Sequence, residues 1–83
     1  SIGSLTLSIV HPREVFKPAI LLNSSGILCA HNHPSGDPAP SSEDRVLTAR
    51  LRQAGDLIGI TVLAHIILGD ERTYSFADQG WPE

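Results

Sequence analysis

Eighty-three residues allow one domain, spanning 1–83, and no more. At 41% hydrophobic and 18% charged, the chain is too apolar for disorder, and no apolar run reaches the ~18 residues of a transmembrane helix. Six basic against nine acidic residues leave a net charge of −3, which argues against a partner held mainly through its phosphates. The single cysteine, Cys29, rules out an internal disulfide, and residues 1–5 contain no basic segment ahead of an apolar one. A cytoplasmic protein without a membrane partner is expected.

Taken in chain order, residues 3–10 read as a strand with one buried face, because Leu5, Leu7 and Ile9 alternate with Ser4, Thr6 and Ser8. His11-Pro12-Arg13-Glu14 starts a helix: Pro12 suits a first turn and Glu14 suits the positive end of the dipole. Val15, Phe16, Ala19, Ile20 and Leu22 recur at helical spacing, while Pro18 predicts a kink or a shortened helix. After the turn at residues 23–26, Ile27-Leu28-Cys29-Ala30 has the pattern of a strand buried on both faces. A proline-rich and therefore stiff loop follows over residues 34–40. Ser41 reads as the N-cap of a helix over residues 42–54, with Val46, Leu47, Leu51 and Ala54 inward and Gly55 as C-cap. Residues 60–68 form an apolar strand, a turn at 69–71 leads into a second strand at 72–76, and the chain ends in a tail through Trp81. The order β-α-β-α-β-β describes an α/β domain with a mixed sheet and two main helices.

The chemistry concentrates at the end of the second strand. His31 and His33 are two residues apart, so an extended chain points both imidazoles to one side. Asp44 stands in the first turn of the following helix. Two imidazoles and one carboxylate suit a divalent zinc ion with a fourth position open to water. Such a centre acidifies the water and polarises a carbonyl, and hydrolysis then needs a general base close by. Other readings stand beside this one. A lone His-x-His is a weak signal, and Ser41-x-x-Asp44 is equally a capping box. Asp37 reads as a turn residue, His11 as a helix-entry residue, His65 as a satisfied core histidine and Cys29 as a small buried hydrophobe. Arg45, Arg50 and Arg52 read as a solvated helix face.

His31-x-His33-Pro34, then six residues, then Ser41-x-x-Asp44 resembles the metal-site motif of the JAMM (JAB/MPN+) zinc metalloproteases. The strings His11-Pro12-Arg13-Glu14-Val15, His31-Asn32-His33-Pro34-Ser35-Gly36-Asp37-Pro38 and Ala64-His65-Ile66-Ile67-Leu68-Gly69-Asp70 resemble its RadC-like bacterial branch over nearly the whole chain. The resemblance implies a cytidine deaminase-like α/β sandwich. It implies zinc on His31, His33 and Asp44, and Ser41 donating to the oxyanion formed on a peptide or isopeptide carbonyl. The implied partner is a peptide or protein substrate. The family also carries a DNA-repair label, and its full-length members usually have a DNA-binding region upstream. The family's catalytic glutamate lies on a strand before the His-Pro-Arg-Glu segment. Only ten residues precede His11 here and none is acidic, so the chain is expected to be truncated ahead of that base. On that footing an inactive metal-binding module is the alternative reading. The family also usually has an aspartate where this chain has Ala64, so a supporting role of that acid is expected to be lost.

Overall fold

Three parallel strands joined by two helical crossovers, with a fourth strand folded back antiparallel, make up the sheet. The computed structural model describes residues 2–6 and 12–82. In order these are β1 (Ile2–Thr6), α1 (Pro12–Leu21), β2 (Gly26–Asn32), α2 (Ser42–Ile58), β3 (Thr61–Leu68), β4 (Thr73–Ser75) and α3 (Phe76–Gln79). The strands lie side by side as β1-β2-β3-β4. The α/β class and the mixed sheet are as expected, with α3 as an addition. Part of the first predicted strand, residues 7–10, and the helix-entry reading of His11 lie outside the described residues. Among the described residues no helix is long and apolar enough to cross a membrane.

Both crossovers step in the same direction across the sheet. Right-handed crossovers of that kind place their helices on one face. The core accordingly gathers Val15, Phe16 and Ala19 of α1, Ile27 and Cys29 of β2, Leu51 of α2, and Ile60 and Val62 around β3. This corrects the expectation that β2 is buried on both faces. Leu28, on the side away from the helices, is 38% exposed and Leu63 of β3 is 42% exposed.

An irregularity in β3 decides which side chains join the core. Ile27 pairs with Val62 but Leu28 pairs with Ala64, so Leu63 is an extra residue in the ladder. Such a bulge resets the two-residue alternation. Val62 before it and His65 and Ile67 after it are all buried. Without the extra residue, His65 would face the opposite side.

The helices differ from expectation in three places. Helix α1 runs three residues past Pro18, and Leu22 N–H still reaches the Pro18 carbonyl at 3.0 Å. Burial of Val15, Phe16 and Ala19 on either side of Pro18 outweighs one missing helical hydrogen bond. Helix α2 continues to Ile58 and is capped by Gly59 at φ +76°, not by Gly55. Gly55 is instead a buried position inside the helix, where a Cβ would collide with the Ile60 carbonyl oxygen. Val46 faces outward, 52% exposed, and Thr48 takes an inward place beside Leu51. The predicted tail also packs. Trp81 lies parallel to the buried Phe76 ring at 6.4 Å, and the Arg52 guanidinium sits 4.4 Å above its ring. Arg52 thus leaves the solvated face to which Arg45 and Arg50 belong.

Candidate metal centre

His31 continues the inward alternation of Ile27 and Cys29 along β2. His33 follows just beyond the strand, in a loop pinned to the end of β3. Its N–H donates to the Leu68 carbonyl at 3.1 Å, Gly36 N–H to the His33 carbonyl at 2.9 Å, and Asp70 N–H to the Gly36 carbonyl at 3.0 Å. Gly36 adopts φ +85°, a left-handed conformation that favours glycine. Asp37 is the expected turn residue, its Oδ1 accepting the Ala39 N–H at 3.0 Å. This loop returns the chain to the start of α2.

At that start the two readings of Ser41-x-x-Asp44 prove compatible. Ser41 N–H donates to Asp44 Oδ2 at 2.8 Å, and Asp44 N–H donates to Ser41 Oγ at 3.0 Å, a complete capping box. The same carboxylate faces both imidazoles. His33 Nε2 stands 3.1 Å from Asp44 Oδ2, and His31 Nε2 stands 3.5 Å from Asp44 Oδ1. The ligand atoms of His31, His33 and Asp44 all lie within 4.8 Å of one another, and all three side chains are half-buried. Ligands ~2.0–2.2 Å from a tetrahedral zinc stand about 3.3–3.6 Å apart, close to the two imidazole–carboxylate distances.

The donor chemistry fits a cation at the centre of this group. His33 Nδ1 faces the Asp37 carbonyl at 2.9 Å, and a carbonyl only accepts, so Nδ1 carries the proton. In its neutral form His33 therefore turns a lone pair on Nε2 toward the carboxylate. Burial, reinforced by the neighbouring His33 and opposed by Asp44, holds the His31 pKa below its ordinary value and favours the neutral ligand form. Burial alone would raise the Asp44 carboxyl. Its bonds with Ser41, then the two imidazoles, overcome that and hold it below the usual carboxylate value.

Behind His31 lies a layer that sequence reasoning missed. His65 is fully buried, with Nε2 2.9 Å from His31 Nδ1 and Nδ1 2.7 Å from Thr48 Oγ1. Thr48 in turn donates to the Asp44 backbone carbonyl at 2.7 Å. His65 is thus the satisfied core histidine expected, but it also touches the site. Burial, with repulsion from His31, pushes its pKa down to about 4. The available signal was the four-residue spacing from Asp44 to Thr48, which puts both on one helix face. Ala64 does not belong to this layer. It is half-buried and alternates with His65, so its side chain projects from the other side of the strand. An acid at position 64 would point away from His31. Cys29 is buried as expected, and burial raises its thiol to about 11.

A RadC-like JAB domain matches residues 1–81. The chain is 59% identical over 78 residues to the UPF0758 protein GSU0386 of Geobacter sulfurreducens, covering 94% of this chain and 34% of that protein. It is 57% identical over 81 residues to a UPF0758 protein of Methanosarcina acetivorans, covering 98% and 35% respectively. The UPF0758 protein lin1584 of Listeria innocua is 55% identical over 80 residues, covering 96% and 36%. The chain spans about a third of the length of the curated relatives it matches.

Proposed function

The chain belongs to the RadC-like JAB domain family, and from that premise we propose that it is the metal-binding part of a zinc-dependent peptidase or isopeptidase. The observation that carries this reading is the convergence of His31 Nε2 and His33 Nε2 on the two oxygens of Asp44. The fold is read as the JAMM/MPN-type, cytidine deaminase-like sandwich, and the location as cytoplasmic. The partner is a peptide or a protein carrying an isopeptide bond.

His31, His33 and Asp44 would hold the zinc. When bound, zinc supplies Lewis-acid polarisation of a carbonyl and lowers the pKa of water. The protein's own residues do the rest. The two neutral imidazoles offer lone pairs, and the single carboxylate leaves the filled site with a net positive charge that favours developing negative charge on a substrate oxygen. Ser41 Oγ accepts the Asp44 N–H, which leaves its own proton to donate to that oxygen. The resemblance implies a glutamate ahead of the His-Pro-Arg-Glu segment as general base; residues 1–10 hold no acid, and a metal-binding module without hydrolysis is the alternative reading.

The metal content of the purified protein tests the reading. About one zinc per chain is expected, lost in His33→Ala and in Asp44→Ala. Full occupancy in both variants would overturn the ligand assignment. Hydrolysis of peptide and isopeptide substrates by the full-length protein, abolished in the same variants, tests the activity separately.

A further inference from the structure

We infer that Thr48 and His65 are positioning residues that fix the tautomer of His31 and so aim its Nε2 lone pair at the metal site. The inference rests on the metal-site reading for its purpose, but its structural content concerns one proton.

Four groups in line set the place of that proton. The Thr48 hydroxyl has a single hydrogen, and it stands 2.7 Å from the Asp44 backbone carbonyl, which can only accept. With its hydrogen committed there, Thr48 Oγ1 meets His65 Nδ1 at 2.7 Å as an acceptor. His65 therefore carries its hydrogen on Nδ1. Its ring is fully buried, and every buried side-chain polar atom among the described residues has a partner. Neutral His65 then has a bare Nε2, which lies 2.9 Å from His31 Nδ1. His31 must place its hydrogen on Nδ1, and its Nε2 is left bare, 3.5 Å from Asp44 Oδ1. A run of three hydrogen bonds thus converts the orientation of one hydroxyl into the ligand form of an imidazole 17 residues away in sequence.

The run also closes on itself. It begins at the backbone of Asp44 and ends facing the side chain of Asp44, so the carboxylate ligand and the imidazole ligand are set by one chain of contacts. His33 has a separate orienting partner in the Asp37 carbonyl. Each imidazole ligand therefore has its Nδ1 hydrogen bound outside the site and its Nε2 directed into it. If the Thr48 hydroxyl instead donated to His65, every hydrogen in the run would reverse, and His31 would present an N–H to the site rather than a lone pair.

The two arrangements differ in the ring nitrogen spectrum of His31. Two-bond ¹⁵N–¹H correlation spectra of the full chain, stripped of metal with a chelator, should show hydrogen on Nδ1 for both His31 and His65. Thr48→Val removes the hydroxyl while keeping the side-chain shape. In that variant His31 should become a mixture of tautomers, and zinc affinity should fall about tenfold or more, as for other groups that orient a metal ligand. Thr48→Ser restores the hydroxyl and should recover both the single tautomer and the affinity. Cooperative unfolding of each variant shows that the comparison is between folded proteins. Hydrogen on His31 Nε2 in the unaltered protein overturns the inference. So does Thr48→Val with an unchanged tautomer and unchanged affinity. An unaltered protein with the Nδ1 tautomer but no zinc binding supports the hydrogen-bond run and overturns the metal-site reading.

Discussion

Ser41 and Asp44 bind one another twice. The Ser41 N–H donates to the Asp44 carboxylate at 2.8 Å, and the Asp44 N–H donates to the Ser41 hydroxyl at 3.0 Å. A helix cap and a candidate metal ligand therefore share one structure, and a change at Ser41 has two separable effects. Ser41→Ala keeps its own N–H but leaves the Asp44 N–H without its acceptor. The metal-free protein should lose about 1 kcal/mol of stability in denaturant unfolding. Zinc should still bind, with modestly reduced affinity, because all three proposed ligands remain. Loss of metal as complete as that of Asp44→Ala would show that Ser41 is itself a ligand.

Filling the site should stabilise the fold by mass action. A ligand at a hundred times its Kd, bound only by the native state, adds about 2.7 kcal/mol. Zinc should therefore raise Tm measurably over the same protein in chelator, and Asp44→Ala should show no difference between the two conditions. In an 83-residue chain the effect should be large, because the apolar core is small. Thermal unfolding followed by circular dichroism, with and without zinc, makes the comparison. An equal zinc shift in Asp44→Ala would point to binding elsewhere on the chain.

Acid should weaken the metal-free protein well above the range in which carboxylates titrate. His65 titrates at about 4 in the folded state, because it is buried and faces His31. An ordinary histidine titrates near 6.5. Between these values the unfolded chain holds a proton that the native state does not, so stability rises with pH across that window. It is complete above about pH 6.5 and is lost as pH falls to about 4, a change on the order of 3 kcal/mol from His65 alone. His31, whose pKa is also lowered, adds to the loss in the same direction. Asp44 is lowered too, so its contribution disappears only below the ordinary carboxylate range. Urea unfolding at pH 7 and at pH 4.5 measures the difference, and equal stability at the two would contradict a buried neutral His65.

The burial of Cys29 gives a chemical check on the core. Its thiol is 1% exposed and is raised to about 11, so little reactive thiolate exists at neutral pH. Ellman's reagent should label the native protein slowly and the denatured protein at once, with about one thiol per chain. Rapid labelling of the native protein would mean that β2 opens far more often than its central place in the sheet suggests.

The clustering of His31, His33 and Asp44 was legible in the sequence because both rules that place it are local. A strand repeats every two residues, which sets His31 and His33 together, and the first turn of a capped helix fixes Asp44. The second layer depends on a non-local event. Nothing in Thr61-Val62-Leu63-Ala64-His65 marks Leu63 as the extra residue, yet that insertion turns His65 toward His31. The exposed face of β2 was hidden for a similar reason. Four apolar residues in a row read the same whether helices cover one face or two, and the answer lies in the direction of successive crossovers. Trp81 looked like part of a tail because its partners, Arg52 and Phe76, are contributed by α2 and α3.

Gly55 tests the same division between local and distant causes. Seen locally, a glycine after an apolar helical run is a C-cap, and inside a helix it costs about 1 kcal/mol relative to alanine. The structure puts it inside α2, which on propensity alone makes Gly55→Ala a stabilising change. Packing reverses the sign. The Gly55 carbonyl accepts the N–H of Ile60 at 2.9 Å as the chain leaves the helix through Gly59. That reversal brings the Ile60 carbonyl oxygen onto the place where a Cβ would stand, with Phe16 Cζ at 3.4 Å. Backbone cannot move aside as a flexible side chain can, so Gly55→Ala should destabilise by about 1–3 kcal/mol. Gly59→Ala meets no neighbour within 4 Å, but its φ of +76° should cost about 1–2 kcal/mol by strain alone. Denaturant midpoints at unchanged m-value measure both. A gain in stability for Gly55→Ala would mean that the exit of α2 relaxes away from Ile60 without cost, and that the close approach does not hold the helix end in place.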